Sequence, residues 1–157
     1  MAIATPGTTL AAEQQLIGSL VELMKQEQQT LVNGNADGLA ALMPQKTELV
    51  QQLAALSTAR HQALGAAGFA AAEGGMEPWL GASGAPDARA QWEQLLALTA
   101  EAKELNRVNG MLINKQMAHN QIVLNALRTP AGGAEPGVYG PGGQPVASGP
   151  SRRYVIG

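Results

Sequence analysis

Residues 86–128 narrow the fold more than any other part of the chain. After Pro86 the stretch contains no proline, and its only glycine is Gly110. Pro86-Asp87 is a favourable helix opening, and Thr129-Pro130 is a stop. One uninterrupted helix is therefore predicted, on the order of 60 Å long at about 1.5 Å per residue. A helix of that length in water needs a partner along much of its side. Leu95, Leu98, Ala102, Leu105, Leu112, Ile113, Val123, Leu124 and Leu127 form its main apolar stripe at about 100° per residue. Asn106, Asn109, Gln116 and Asn120 share that arc. Polar residues in such a seam either fix helix register or hydrogen-bond a bound partner chain, and the residues alone leave both open.

The partners are sought upstream. Residues 1–8, with Pro6 and Gly7, read as a flexible lead-in. From Thr9 to Val32, Leu10, Ile17, Leu20, Met24 and Leu31 recur at helical spacing, widened by Leu16, Val21 and Leu23. Asn33-Gly34-Asn35 ends that helix. A second helical stretch runs from about Asp37 to Leu64, with Leu39, Leu42, Leu49, Leu53, Leu56 and Leu64 on its buried side. Pro44 lacks an amide hydrogen and clashes with the turn before it. The reading is a short helix to about Leu42 and a longer one from near Pro44, with a kinked continuous helix as the alternative. Residues 65–86 are a Gly-, Ala- and Pro-rich connection with room for a helical turn near Phe69 or Trp79. Residues 129–157 are too rich in Gly and Pro for a packed element and read as a mobile tail. The expected fold is all-α: an elongated antiparallel helical hairpin or bundle of about three helices, with residues 9–128 as its domain. Aromatics at 3% of residues fit helices packed through thin Leu/Ala seams.

The last helix carries a second, weaker stripe of Val108, Met111, Ala118, Ile122 and Ala126, with Lys115 among them. Apolar surface left over after internal packing is a candidate docking site, and methionines such as Met111 and Met117 suit adaptable contacts. The residues alone leave partner docking and a homodimer seam both open.

Several chemistries lack their residues. The chain has no cysteine, which removes thiol catalysis and Cys-based zinc sites. His61 and His119 stand alone, outside any metal spacing. The glycine-rich runs match neither a Walker loop nor a dinucleotide fingerprint. No enzymatic activity, cofactor or metal is expected. A formal net charge of -2 offers no bulk attraction to nucleic acid. No apolar run reaches the roughly 20 residues needed to span a bilayer, and MAIATPGTTLAAEQQ lacks the features of a signal peptide. A cytoplasmic protein is expected, without direct membrane insertion.

The order of features resembles a family. An amphipathic first helix precedes a second helix bearing Lys46, Leu49, Leu53 and Arg60, then a connection, then Trp92 at the start of the long helix. The segment ELNRVNGMLINKQMAHNQIVLNAL supplies Leu105, Asn106, Asn109, Gly110, Leu112, Ile113, Asn120, Leu124 and Leu127. The tail reads Val138-Tyr139-Gly140-Pro141-Gly142-Gly143-Gln144. Together these are similar to the FlgN family of flagellar export chaperones. The resemblance covers most of residues 10–145 and is most specific in 104–144. It implies binding of the C-terminal segments of hook–filament junction proteins of the FlgK and FlgL type, and their delivery to the flagellar type III export apparatus. It favours cargo docking over dimerisation on the long helix, with Asn106, Val108, Asn109, Met111, Lys115, Ala118 and Ile122 as the cargo-binding residues. Tyr139 is the matching residue for contact with the export gate protein FlhA. The competing reading is a structural helical adaptor or coiled-coil oligomer without an export role.

Overall fold

The computed structural model describes residues 4–128, and every regular element there is helical: α1 (Leu10–Val32), α2 (Ala36–Ala66), a single 3-10 turn at Glu73–Gly75, α3 (Met76–Ser83) and α4 (Pro86–Arg128). Four α-helices therefore replace the expected three, because the connection after α2 folds a helix of its own. The tail, including Tyr139, lies outside the described residues.

The first helix shows how sequence becomes packing. Leu10, Glu13, Ile17, Leu20, Met24, Glu27 and Leu31 are all buried. They alternate in threes and fours, the spacing of a single helix face. Two members of that face are carboxylates. The chain then reverses at Gly34, whose φ of 68° suits a residue without a Cβ. Asn35 starts α2 by accepting a hydrogen bond from the Gly38 amide at 2.9 Å. Pro44 sits inside α2 without ending it, so the expected break at Leu42 is corrected to one continuous helix. Ala40, whose carbonyl loses its partner to the proline ring, is exposed, and water can take that acceptor.

The carboxylates of α1 meet cations of α2, two heptads apart on each helix. Arg60 grips Glu13 through Nε at 2.8 Å and Nη2 at 3.1 Å. Lys46 reaches both oxygens of Glu27, at 3.2 and 3.0 Å. The pairing of 13 with 60 and 27 with 46 makes α1 and α2 antiparallel. Arg60 also donates to Glu73 of the 3-10 turn at 2.9 and 3.1 Å, and its guanidinium lies 4.8 Å from the Trp92 ring centre on α4. Burial acts to lower the Arg60 pKa, but the hydrogen bonds and charges of Glu13 and Glu73 outweigh it and hold the group above its ordinary value.

The core gathers Leu10, Ile17, Leu20, Val21 and Met24 of α1, Leu64 of α2, Met76 and Leu80 of α3, and Ala88, Trp92, Leu95 and Ala102 of α4. α2 contributes less than its sequence suggests. Leu39, Leu42, Leu49, Leu53 and Leu56 are only half-buried, and Leu64 alone of that stripe is fully enclosed. Part of the lead-in makes contacts where it is described. Pro6 is fully buried, and Thr5 and Thr8 close a turn through the Thr5 amide and the Thr8 hydroxyl at 2.9 Å. A Cβ on Gly7 would stand 3.2 Å from the Trp79 ring, so this turn packs against α3. Gly75 is required by a close approach, since a Cβ there would collide with the Ala70 carbonyl oxygen.

Candidate functional site

The residues expected to bind cargo all lie on α4, and the structure separates them. Over residues 86–116, Ala88, Trp92, Leu95, Ala102 and Asn109 are buried, at a spacing that keeps one face against α1. Asn106, Met111 and Lys115 are exposed, and Val108 is half-buried. Arg107 forks onto Glu104 at 2.7 and 2.9 Å; those hydrogen bonds hold the Glu104 carboxyl below its ordinary pKa. The same guanidinium reaches the Met111 sulfur at 3.1 Å.

Asn109 is corrected from a docking residue to a packing residue. It is 1% exposed, and its amide nitrogen donates to the Met24 carbonyl at 2.9 Å and to Glu27 Oε1 at 2.8 Å. Glu27, Lys46 and Asn109 thus tie α1, α2 and α4 at one level. Asn109 Oδ1 has no hydrogen-bond partner among the described residues. Gln116 donates to the Leu31 carbonyl at the end of α1. The matched order of 24 with 109 and 31 with 116 makes α1 and α4 parallel. The bland reading of the seam asparagines, helix register, holds for Asn109; Asn106 remains free to meet a partner.

Residues 117–128 differ in kind. Every one of them is exposed. Ala118 and Ile122 belong to the second stripe, as expected, with Ile122 66% accessible. Val123, Leu124 and Leu127, assigned from sequence to internal packing, are exposed as well, Leu127 to 78%. That expectation is corrected. Met117 joins them. At 100° per residue these side chains fall on two sides of the helix, a pattern that elsewhere belongs to buried helices. The signal that could have found them is length: α1 has 23 residues and α4 has 43, so α1 can pair with barely half of it.

Among the described residues no three His, Asp or Glu side chains gather as a metal site, and no helix is long and apolar enough to cross a membrane. An open groove of about 910 Å³ between α1 and α2 is lined largely by polar side chains, including Gln15, Ser19, Glu22, Gln26, Gln45 and Glu48.

The family model for FlgN protein matches residues 1–147. A relative named "Flagella synthesis protein FlgN", from Yersinia enterocolitica, is 28% identical over 138 residues, 87% of this chain and 86% of that protein. No solved structure matches the chain. Of the residues that carried the resemblance, Lys46, Arg60, Trp92 and Asn109 help tie the helices together, and with a family match across nearly the whole sequence the chain belongs to the FlgN family of flagellar chaperones.

Proposed function

We propose that this chain is an export chaperone for hook–filament junction proteins of the FlgK and FlgL type. It binds their C-terminal segments, keeps them soluble in the cytoplasm, and delivers them to the flagellar type III export apparatus. The observation that supports this most is the run of large exposed apolar side chains on the last described turns of α4: Met117, Ile122, Val123, Leu124 and Leu127. A cargo segment that folds into an amphipathic helix on this surface removes apolar area from water on both chains. Ordering the cargo segment offsets part of that gain, which keeps the complex releasable. Asn106, Val108, Met111 and Lys115 are accessible on the preceding turns and extend the reading along α4. Tyr139 is the proposed contact for FlhA.

The test is co-purification of the full chain with the C-terminal segment of a junction protein. The segment should be retained by the wild type and lost from a Leu124→Glu/Leu127→Glu variant. A charge in an apolar helix contact costs more than the contact gains, while the free fold, judged by circular dichroism and thermal unfolding, should stay intact because both residues start exposed. A wild-type chain that is folded but retains no junction segment would overturn the reading. So would a double variant that retains as much as the wild type.

A further inference from the structure

Charge along this chain is segregated. Eleven of its 12 acidic residues lie at or before Glu104, together with only five of its 10 basic ones, so residues 1–104 carry a formal charge of −6. Residues 105–128 contain Arg107, Lys115 and Arg128 and no carboxylate. Arg107 is already held by Glu104 at 2.7 Å. Lys115 and Arg128 are exposed and make no ion pair among the described residues. Arg128 stands in the last turn of α4, where a cation also suits the helix dipole. Lys115 lies roughly three turns earlier in the sequence, too far for that effect. The acid-free stretch ends in residues 117–128, where the large apolar side chains are exposed.

We infer that the partner closing over this surface is an acidic amphipathic helix, with an apolar face flanked by Asp or Glu that answer the cations of residues 105–128. This rests on the chaperone reading and names the chemistry of the cargo. A second copy of the chain is the poorer occupant. Two copies meeting through this stretch bring cation against cation, with no carboxylate in it to pair them. The body of a second copy fits no better. Its large exposed apolar residues, Val32, Met43, Val50 and Leu96, are divided among three helices, and most of its carboxylates are already held by its own cations. An acidic helix supplies both the missing apolar face and the missing negative charge.

Two synthetic peptides of about 20 residues, long enough to form helix on a surface, test this. They share one apolar face; one is flanked by Glu, the other by Lys. Each is titrated into the full chain by fluorescence anisotropy. The Glu peptide should bind at least about tenfold tighter at low ionic strength. The preference should shrink as salt rises and reverse in a Lys115→Glu/Arg128→Glu variant. Equal affinities, a preference that survives the double variant unchanged, or no binding of either peptide to a folded chain overturns the inference. Sedimentation velocity adds a second readout: a dimer abolished by Leu124→Glu/Leu127→Glu would put another copy on this surface and overturn it too. Retention of a junction segment without any peptide charge preference sinks this inference and leaves the chaperone reading standing. A Glu preference without retention of a junction segment does the reverse.

Discussion

Residues 86–116 and 117–128 of α4 are written in the same helical periodicity and end in opposite surroundings. In the first, Trp92, Leu95 and Ala102 are buried, and even a polar residue, Asn109, is enclosed with its amide nitrogen bonded on α1. In the second, Val123, Leu124 and Leu127 continue the same stripe and are exposed. Periodicity therefore reports that a face favours cover, and nothing about what supplies it. Cover within this chain depends on how far the neighbouring helices run, and Gln116 on Leu31 is the last bond that α4 makes to α1 among the described residues. Under the proposed function, this difference inside one helix separates the part that packs within the chain from the part offered to a cargo segment.

The sharpest way to test the contrast is to remove a buried anchor. Arg60→Ala strands Glu13, only 2% exposed, without its cation. A buried charge left unpaired costs about 3–5 kcal/mol, to be read from urea unfolding. Replacing both partners, as Arg60→Met with Glu13→Leu, should cost much less, since no buried charge is then left alone and Glu73, which also loses Arg60, is 56% exposed. A loss below about 1 kcal/mol for Arg60→Ala would mean that this pair behaves like a surface ion pair. Next comes a matched pair of leucines. Leu95→Ala should cost about 2–5 kcal/mol and Leu127→Ala less than about 0.5 kcal/mol. Equal costs would erase the difference between the two parts of the helix. Smaller again is the asparagine pair. Asn109→Ala leaves the Met24 carbonyl and a buried carboxylate short of a donor, for about 1–3 kcal/mol, whereas exposed Asn106→Ala should stay within about 0.5 kcal/mol.

Much of the scaffold was legible because its signals are local. The α4 start at Pro86, its span to Arg128 and the stop at Gly34 follow from proline, glycine and spacing alone. The role of Glu13 and Glu27 was less so. Both sit at the apolar spacing of α1, yet a carboxylate there reads as a fault until its cation is known, and Arg60 and Lys46 lie far away in sequence. Their equal two-heptad separation on the two helices was the available clue to an antiparallel match. Pro44 misled because the rule against interior proline is a cost, about 3 kcal/mol, and anchored flanks can bear it; Lys46, two residues on, is one such anchor. The exposed apolar end of α4, the proposed docking surface, was half legible. Met111 and Ile122 were found as a leftover stripe, but Leu124 and Leu127 were assigned inward, since no wheel diagram says where a neighbouring helix ends.

The smallest expected effect concerns pH, and it asks whether the anchors of the body extend to its edge. Burial acts to raise the Glu73 carboxyl, but hydrogen bonds and charge from Arg60, and then from His61, outweigh it and hold its pKa below the ordinary value. Unfolding returns the group to the usual Glu range near about 4.3. A carboxyl depressed in the folded state contributes stability that is complete above the unfolded pKa and is lost as pH falls through the folded one. The stability difference between the wild type and Glu73→Gln should therefore be steady near neutrality and shrink as pH falls below about 5. Its size should be less than about 1 kcal/mol, because the Glu73 side chain is 56% exposed and solvent screens the pair, and added salt should reduce it further. Urea unfolding of both proteins across that range measures it. A difference unchanged down to about pH 3, below the usual Glu range, would show that Glu73 contributes packing and not charge, and that Arg60 is balanced by Glu13 alone.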